Sequence, residues 1–324
     1  MTLTLTILAA VCVDLLIGDP RWLPHPVRGI GWLARHLEPL LRRLISNETV
    51  AGIMAVILIV GSTAGVAWAL IGWAGWCRPW AGDCLSVLFV YTAIAPRDLA
   101  RHSLAVYRSL KAGDLPLSRT RVGMIVGRDT AILDEAGITR AAVECVAEST
   151  VDGVTAPLFY AILAGPVGAM AYRAINTLDS TFGYMTPRDC RFGWASARLD
   201  DLANYLPARL TAPLIGVAAL FLRLRPMLSW TILRRDGRKH ASPNSGLPEA
   251  AMAGALGVQL GGTTIYDGEP LEKPTIGDAL APLAAGHILQ ANVVMFTTLA
   301  LFLALGLTVR AGLLHLWFTG KVVP

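Results

Sequence analysis

The sequence predicts an all-α, polytopic integral membrane protein with large polar helical loops that form a site at the cytoplasmic face. Hydrophobic residues make up 54% of the 324-residue chain and its mean hydropathy is +0.53, which is too apolar for a soluble enzyme. Apolar runs alternate with polar segments, and some approach the length that a bilayer requires. The polar segments 19–50, 97–153 and 223–290 are rich in Lys and Arg. The positive-inside rule therefore places them on the cytoplasmic side.

Charge and cysteine content narrow the class of protein further. The net charge of +5 is carried mostly by arginine. In a membrane protein, such a balance suits anionic lipids or phosphate-bearing substrates. No nucleic-acid-binding signature accompanies it, so nucleic acid is not an expected partner. The five cysteines form no CxxC pair and are odd in number. We expect reduced, structural thiols, with neither a zinc site nor a disulfide framework.

The first hundred residues predict N-terminal helices around a stiff loop. Residues 3–17 are apolar without a preceding basic residue, so they indicate a retained helix and not a secretory signal. Residues 18–31, GDPRWLPHPVRGIG, contain prolines and glycines that argue against a regular helix. This loop carries Asp19, Arg21 and His25. It is either part of a substrate site or an interfacial connector.

Three further elements are expected before residue 100. Residues 30–44 predict an amphipathic interfacial helix. Residues 50–73 form the clearest transmembrane helix, with small residues for close packing and tryptophans that mark an interface. The apolar run 84–95 is short for a span.

An acidic helix face precedes the central apolar run. A helix capped by Thr139 would place Glu144, Glu148 and Asp152 on nearly one face before Gly153 ends it. Like charges at i, i+4 repel unless a cation lies between them. The pattern predicts binding of Mg²⁺ or an ammonium group. The alternative is a solvated face, which the apolar neighbours disfavour.

Beyond this face the chain alternates between interrupted apolar runs and polar segments. Gly165-Pro166 should bend or break the apolar run 154–172 and fold it back. Residues 210–222 are a weaker apolar run. In the polar segment 223–290, SPNSG precedes a helix expected from about Pro248, whose free N–H groups would favour phosphate. Residues 292–307 predict a last transmembrane helix.

These segments together resemble the adenosylcobinamide-phosphate synthase family of cobalamin biosynthesis, known as CobD/CbiB. The resemblance rests on DLLIGDPRWLPHPVRGIG, AESTVDGVTAPLFY, NTLDSTFGY, FGWASARLDD and HASPNSGLPEAAMAGALGVQLGG. They occur in the family's order over nearly the whole chain, and their combination is far more specific than any one of them. One departure is visible, because Ser149 stands where the family pattern has Asn. Any role of that amide is therefore in doubt here.

The resemblance implies a membrane ligase that joins the carboxylate of adenosylcobyric acid to the amine of (R)-1-amino-2-propanol O-2-phosphate or threonine phosphate. ATP and Mg²⁺ would drive amide formation, and no P-loop is present to bind the nucleotide. Multi-pass insertion in the plasma (inner) membrane with a cytoplasmic site is expected. Membrane lipids are the other expected partners, and a homo-oligomer or association with other cobalamin-pathway enzymes is left open.

The chain is expected to form one domain of this type. Within it we distinguish N-terminal helices 1–100, a site-bearing region 120–290 and a C-terminal membrane helix 291–309.

The candidate site residues fall into three groups. The catalytic candidates are Glu148, Asp152, Asp179 and Asp201. The metal candidates are Glu144, Glu148 and Asp152. The candidates for binding substrate or phosphate are Asp19, Arg21, His25, Arg128, Asn176, Arg191, Arg198, Lys239, His240, Ser242, Asn244 and Ser245.

Two other functions compete with the ligase. A transporter would use Asp14, Glu148 and Asp179 as intramembrane acids on an ion path, but no inverted repeat is evident. A lipid-headgroup transferase would also place metal-binding acids beside membrane helices. That class would be expected to show a D-x-x-D-G-x-x-A-R run, which this sequence lacks.

Overall fold

The computed structural model describes residues 1–20, 22, 24–183, 186, 188–266 and 268–318. Most of these residues are helical, which confirms the predicted helical fold. Within these described residues, three helical stretches are long and apolar enough to cross a membrane: Glu48–Cys77, Glu135–Phe182 and Gly286–Leu316. The predicted spans at 50–73 and 292–307 lie within two of them.

The helices form most of the secondary structure and are numbered here in chain order. They are α1 (Leu3–Ile17), α2 (Pro26–Leu44), α3 (Glu48–Cys77), α4 (Pro79–Ala93), α5 (Pro96–Lys111), α6 (Leu115–Val122), α7 (Glu135–Ser149), a π-helix (Thr150–Thr155), α8 (Ala156–Phe182), α9 (Trp194–Phe221), α10 (Pro226–Asp236), α11 (Gly246–Leu256) and α12 (Gly286–Phe318).

A β-hairpin makes the all-α prediction wrong in one place. Strands β1 (Leu260–Tyr266) and β2 (Glu269–Ile276) pair antiparallel. The sequence of β1, LGGTTIY, carries β-branched and aromatic residues, which favour a strand over a helix. That signal was present in the sequence and was missed.

The chain divides into two compact units that are interleaved in sequence. Unit 1 comprises residues 1–95, 156–204 and 303–324, and unit 2 comprises residues 96–155 and 205–302. Neither unit corresponds to a contiguous stretch such as 1–100 or 120–290. Each unit is described by itself below.

Several helix boundaries differ from those expected. Helix α2 begins at Pro26, inside the segment expected to be irregular, because proline suits the first turn and the His25 ring accepts the N–H of Val27. Helix α7 begins at Glu135 with Asp134 as its cap, so the predicted cap at Thr139 is wrong.

Gly153 does not end the helix as predicted. It lies in the π-helix, which joins α7 directly to α8. The expected break at Gly165-Pro166 is confirmed as a kink, since Ala164 and Gly165 leave helical geometry and Gly165 has φ of +67°.

The core of unit 1 depends on a close approach to helix α3. Helix α3 packs against α4 and α8. A Cβ atom at Gly52 would lie only 1.9 Å from the carbonyl oxygen of Phe192, whereas nothing lies within 4 Å of one at Gly61 in the same helix. Glycine at position 52 therefore permits a helix-to-backbone contact that no other residue fits.

We expect Gly52→Ala to lower the Tm of the detergent-purified protein, at the cost of about 1–3 kcal/mol that is typical of overpacking. Gly61→Ala is the matched control and should leave the Tm unchanged or raise it slightly, because Ala is the better helix former. Thermal unfolding followed by circular dichroism measures both. Equal melting temperatures for the two variants would contradict the close approach.

Candidate functional site

Three carboxylates in unit 2, Glu144, Glu148 and Glu249, form what we call the carboxylate cluster. Glu144 and Glu148 are one helical turn apart on α7, whose apolar face is buried through residues such as Val143 and Val146. Glu249 lies on α11 and is only 6% exposed. The charges of Glu148 and Glu144 both act on it.

Glu144 is the best-satisfied member of the cluster. Its Oε2 atom lies 2.6 Å from Nη2 of Arg128, and the two side chains are 13% and 6% exposed. Its Oε1 atom accepts the N–H of Gly261 at 2.8 Å. Gly261 has φ of +75°, and a Cβ there would lie 2.2 Å from the carbonyl oxygen of Pro274. A glycine is therefore required where β1 reaches this carboxylate.

Glu148 is linked to the SPNSG loop. Its Oε1 atom accepts the hydroxyl of Ser245 at 2.8 Å. The loop is braced internally, because Ser242 Oγ accepts the backbone N–H groups of Asn244 and Ser245. The backbone N–H groups of Asn244 and Ser245, which were expected to bind a phosphate, therefore donate hydrogen bonds within the loop. Its role in phosphate binding stays a prediction.

Glu249 is the member of the cluster whose charged form is most strongly disfavoured by burial. Burial raises the pKa of this carboxyl well above its usual range, and the negative charges of Glu148 and Glu144 raise it further. The sequence analysis missed Glu249, although it lies in the first turn of a helix that is otherwise apolar and small. An acid in such a helix was the signal available.

The basic residues before the SPNSG loop differ in their surroundings. The ring of His240 is partly buried, and burial lowers its pKa. Its Nδ1 atom accepts the N–H of Ser242 at 3.0 Å. Lys239 instead forms an ion pair with the buried carboxylate of Asp236 at 2.7 Å. The negative charges of Glu148 and Glu144 in the carboxylate cluster act on His240.

The carboxylate cluster contains too few convergent ligands to hold Mg²⁺ by itself. Within the described ranges, no group of three or more His, Cys, Asp or Glu residues could hold a metal ion. Mg²⁺ is often bound through one or two carboxylates plus substrate phosphates, and that arrangement needs fewer protein ligands. Asp152 lies in the π-helix, one turn beyond Glu148. The Nε atom of Arg128 is buried without a hydrogen-bond partner among the described residues, so a donor is available for a phosphate oxygen.

A second polar group, which we call the Asp200 network, lies in unit 1. Asn204 donates to Oδ2 of Asp200 at 2.9 Å and Asn176 donates to Oδ1 at 3.5 Å. Tyr172 in turn donates to Asn204 at 2.9 Å. Burial raises the pKa of Asp200 to about 7, and the nearby charge of Asp179 adds to this rise.

Asp201 is the residue that was predicted to be catalytic, whereas its neighbour Asp200 is the one that the structure brings into this network. Asp201 pairs with Arg198, a 67% exposed side chain, at 3.7 Å. Asp200 lies on the same helical face as Ser196 and Asn204, four residues away on either side, and the structure buries both of them. A catalytic role for Asp201 stays a prediction.

The remaining candidates belong to segments of unit 1. Asp19 lies 3.6 Å from the ring of His25, so these two predicted residues do meet. Asn176 and Asp179 lie on α8, where Arg173 donates to Asn176 at 3.3 Å. Arg191 is exposed. Arg21 lies outside the described residues.

The fold and these buried carboxylates define a membrane-type helical protein with ionisable groups in its interior, a class in which such residues mark functional sites. Residues 7–295 match the family model described as "CobD/Cbib protein", and the chain belongs to this family.

Curated relatives agree with the family model. A cobalamin biosynthesis protein CobD from Geobacter metallireducens is 54% identical over 279 residues, which is 86% of this chain and 88% of that relative. A CobD from Leptospira interrogans is 49% identical over 283 residues, covering 87% and 90% of the two chains. A cobalamin biosynthesis protein CbiB from Salmonella choleraesuis is 45% identical over 307 residues, covering 93% and 95%. No solved structure gives a significant match.

The Asp200 network generates a prediction about pH. An unfolded Asp has a pKa of roughly 3.9, so the folded state holds the proton more tightly. The contribution of protonated Asp200 to the free energy of unfolding is therefore fully present at low pH. This contribution is lost as the pH rises through the folded pKa of about 7. Asp200→Asn removes this loss. We expect its Tm to exceed that of the wild type above pH 7 and the difference to vanish near pH 4.

Asp201→Asn is the control, since Arg198 opposes the effect of burial on the pKa of that carboxyl. It should change the pH profile less than Asp200→Asn does. Melting curves of all three proteins between pH 4 and pH 8 provide the measurement. A wild-type profile in Asp200→Asn would contradict the raised pKa.

Proposed function

We propose that this chain is an adenosylcobinamide-phosphate synthase, which joins adenosylcobyric acid to (R)-1-amino-2-propanol O-2-phosphate or threonine phosphate at the expense of ATP. The observation that carries the proposal is the family match over residues 7–295, which contains every polar segment described above. The relatives are themselves named as cobalamin biosynthesis proteins.

The carboxylate cluster offers groups suited to a nucleotide. An unactivated carboxylate does not form an amide, so ATP would have to activate it. Mg²⁺ bound with the phosphates would neutralise charge on the transferred group. Glu148 and Asp152 are the residues we assign to that ion, because Glu144 is already occupied by Arg128 and Gly261. Arg128 retains one unpaired buried donor for a phosphate oxygen.

Glu148→Gln should abolish amide synthesis while leaving the protein folded. The amide oxygen of Gln can still accept the hydroxyl of Ser245, but the side chain no longer carries the negative charge that would balance a cation. We expect kcat to fall by roughly 10²-fold or more. The measurement is product formation by purified protein given adenosylcobyric acid, ATP, Mg²⁺ and each candidate amine, followed by mass spectrometry.

Glu135→Gln supplies the control, because Glu135 is exposed in the first turn of the same helix. It should keep wild-type turnover. Wild-type turnover by Glu148→Gln at saturating Mg²⁺ would remove this carboxylate from the site. Absence of any ATP-dependent product from the wild type would overturn the function itself.

A cytoplasmic site requires that the segment 173–209, which carries several of the candidate site residues, lie on the cytoplasmic side, since ATP is cytoplasmic. A single cysteine at Thr186, in a variant lacking the five native cysteines, should react with a membrane-impermeant maleimide only after the cells are opened. Labelling from the periplasmic side of intact cells would contradict this topology.

A further inference from the structure

Unit 2 contains a cavity of about 440 Å³ that belongs to neither the carboxylate cluster nor the Asp200 network. Its volume lies within the usual range of small-molecule sites. Helices α9, α10 and α11 surround it. The lining residues are Arg209, Ala212, Pro213, Leu233, Arg234, Arg238 and Leu247. Three of the seven are arginines, and the others are apolar.

The first arginine is held rigidly in place. Arg209 donates to Oδ1 of Asn244 in the SPNSG loop at 3.1 Å and to its own helix at the carbonyl of Tyr205 at 2.9 Å. Its guanidinium also lies 3.4 Å from the centroid of the Tyr205 ring. None of these partners is a carboxylate, so the charge of Arg209 is oriented without being neutralised by them.

The other two arginines come from the basic run Arg234–Lys239, RRDGRK, which divides into two sets. Arg235 and Lys239 form ion pairs with the buried Asp236, and Arg235 also pairs with Asp278. Arg234 and Arg238 line the cavity and have no hydrogen bond or ion pair within the described part of the chain. Asp236 and Asp278 therefore neutralise Arg235 and Lys239, which do not line the cavity. Arg234 and Arg238, which do line it, have no acidic partner among the described residues.

Helix electrostatics explain part of this pattern. Arg234 lies in the last turn of α10, where a cation stabilises the helix dipole. This explanation does not extend to Arg238, which follows the helix, or to Arg209, which lies in the interior of α9. Three guanidinium groups around one cavity, with no acidic residue among the described residues that line it, favour an anion with several acceptor oxygens.

We propose that this cavity, which we call the arginine pocket, binds a phosphate group, with Arg209, Arg234 and Arg238 as the donors. Arginine pairs with phosphate through two parallel hydrogen bonds, and three such groups match a dianion better than they match a single carboxylate. The apolar walls accept the aliphatic carbons attached to the phosphate. The phosphate belongs either to a soluble ester or to a phospholipid headgroup, because both present the same chemistry.

Binding measurements on the purified full-length protein in a neutral detergent test this pocket without requiring turnover. A failure here would therefore be distinguishable from a failure of the proposed reaction. Inorganic phosphate is titrated by calorimetry at constant ionic strength. In a second arm, native mass spectrometry compares retention of phosphatidylglycerol with that of phosphatidylcholine.

The test variant is Arg234→Gln combined with Arg238→Gln. Both side chains are exposed and lack intramolecular partners among the described residues, so the fold should be preserved. The control is Arg108→Gln, an exposed arginine of α5 in the same unit. Melting temperatures equal to that of the wild type verify folding. The charge-preserving variant, Arg234→Lys with Arg238→Lys, should restore part of the affinity.

A soluble phosphate ester is indicated if inorganic phosphate binds the wild type and the control alike, and if its Kd rises roughly ten-fold or more in the double Gln variant. A headgroup is indicated if phosphatidylglycerol alone is retained and that retention is lost in the same variant. If neither probe binds the wild type, or if the double Gln variant binds as the wild type does, the proposal is overturned.

Discussion

The buried ion pair between Arg128 and Glu144 is the interaction on which the organisation of unit 2 depends. Two charges that are almost fully removed from water are tolerable only when they satisfy each other and their remaining donors and acceptors. The pair does this by recruiting the backbone of Gly261 as a further donor. It thereby joins the turn around Arg128, helix α7 and strand β1. Removing either partner would leave an uncompensated buried charge, which typically costs about 3–5 kcal/mol.

Other contacts strengthen the connection between the turn around Arg128, helix α7 and strand β1. The backbone N–H of Asp129 donates to the carbonyl of Ile265 in β1, and its carboxylate accepts the N–H of Gly268 at the hairpin turn. The thiol of Cys145 donates to the carbonyl of Ile125. The hairpin therefore supports α7 and holds Glu144, one helical turn before Glu148, in position.

Both units contain carboxyl groups whose burial raises their pKa. In unit 2, Glu144 is paired whereas burial raises the pKa of Glu249. In unit 1, burial raises the pKa of Asp200 and also that of Asp201, where the charge of Arg198 opposes the rise. Carboxyl groups retained in such environments are candidates for function, because an apolar residue of similar size would stabilise the fold more.

The SPNSG loop connects the carboxylate cluster to the arginine pocket. Ser245 donates to Glu148, and Asn244 accepts from Arg209. Ser242 bonds the backbone of both residues and so keeps their side chains in fixed positions. The loop thus orients a carboxylate and a guanidinium through uncharged side chains, which can satisfy a charged partner without neutralising it.

The sequence by itself determined the helical membrane-type fold, the long spans, the kink at Gly165-Pro166 and the family, because hydropathy, proline chemistry and ordered motifs are local properties of the chain. It also identified Glu144 and Glu148 as one helical face. It did not reveal that Glu144 is paired with Arg128, that Gly261 reaches it, or that Asp200 and not Asp201 enters the hydrogen-bonded network. Those outcomes depend on which residues from distant segments meet and on how completely they exclude water. Only tertiary packing decides which charges are neutralised and which remain available.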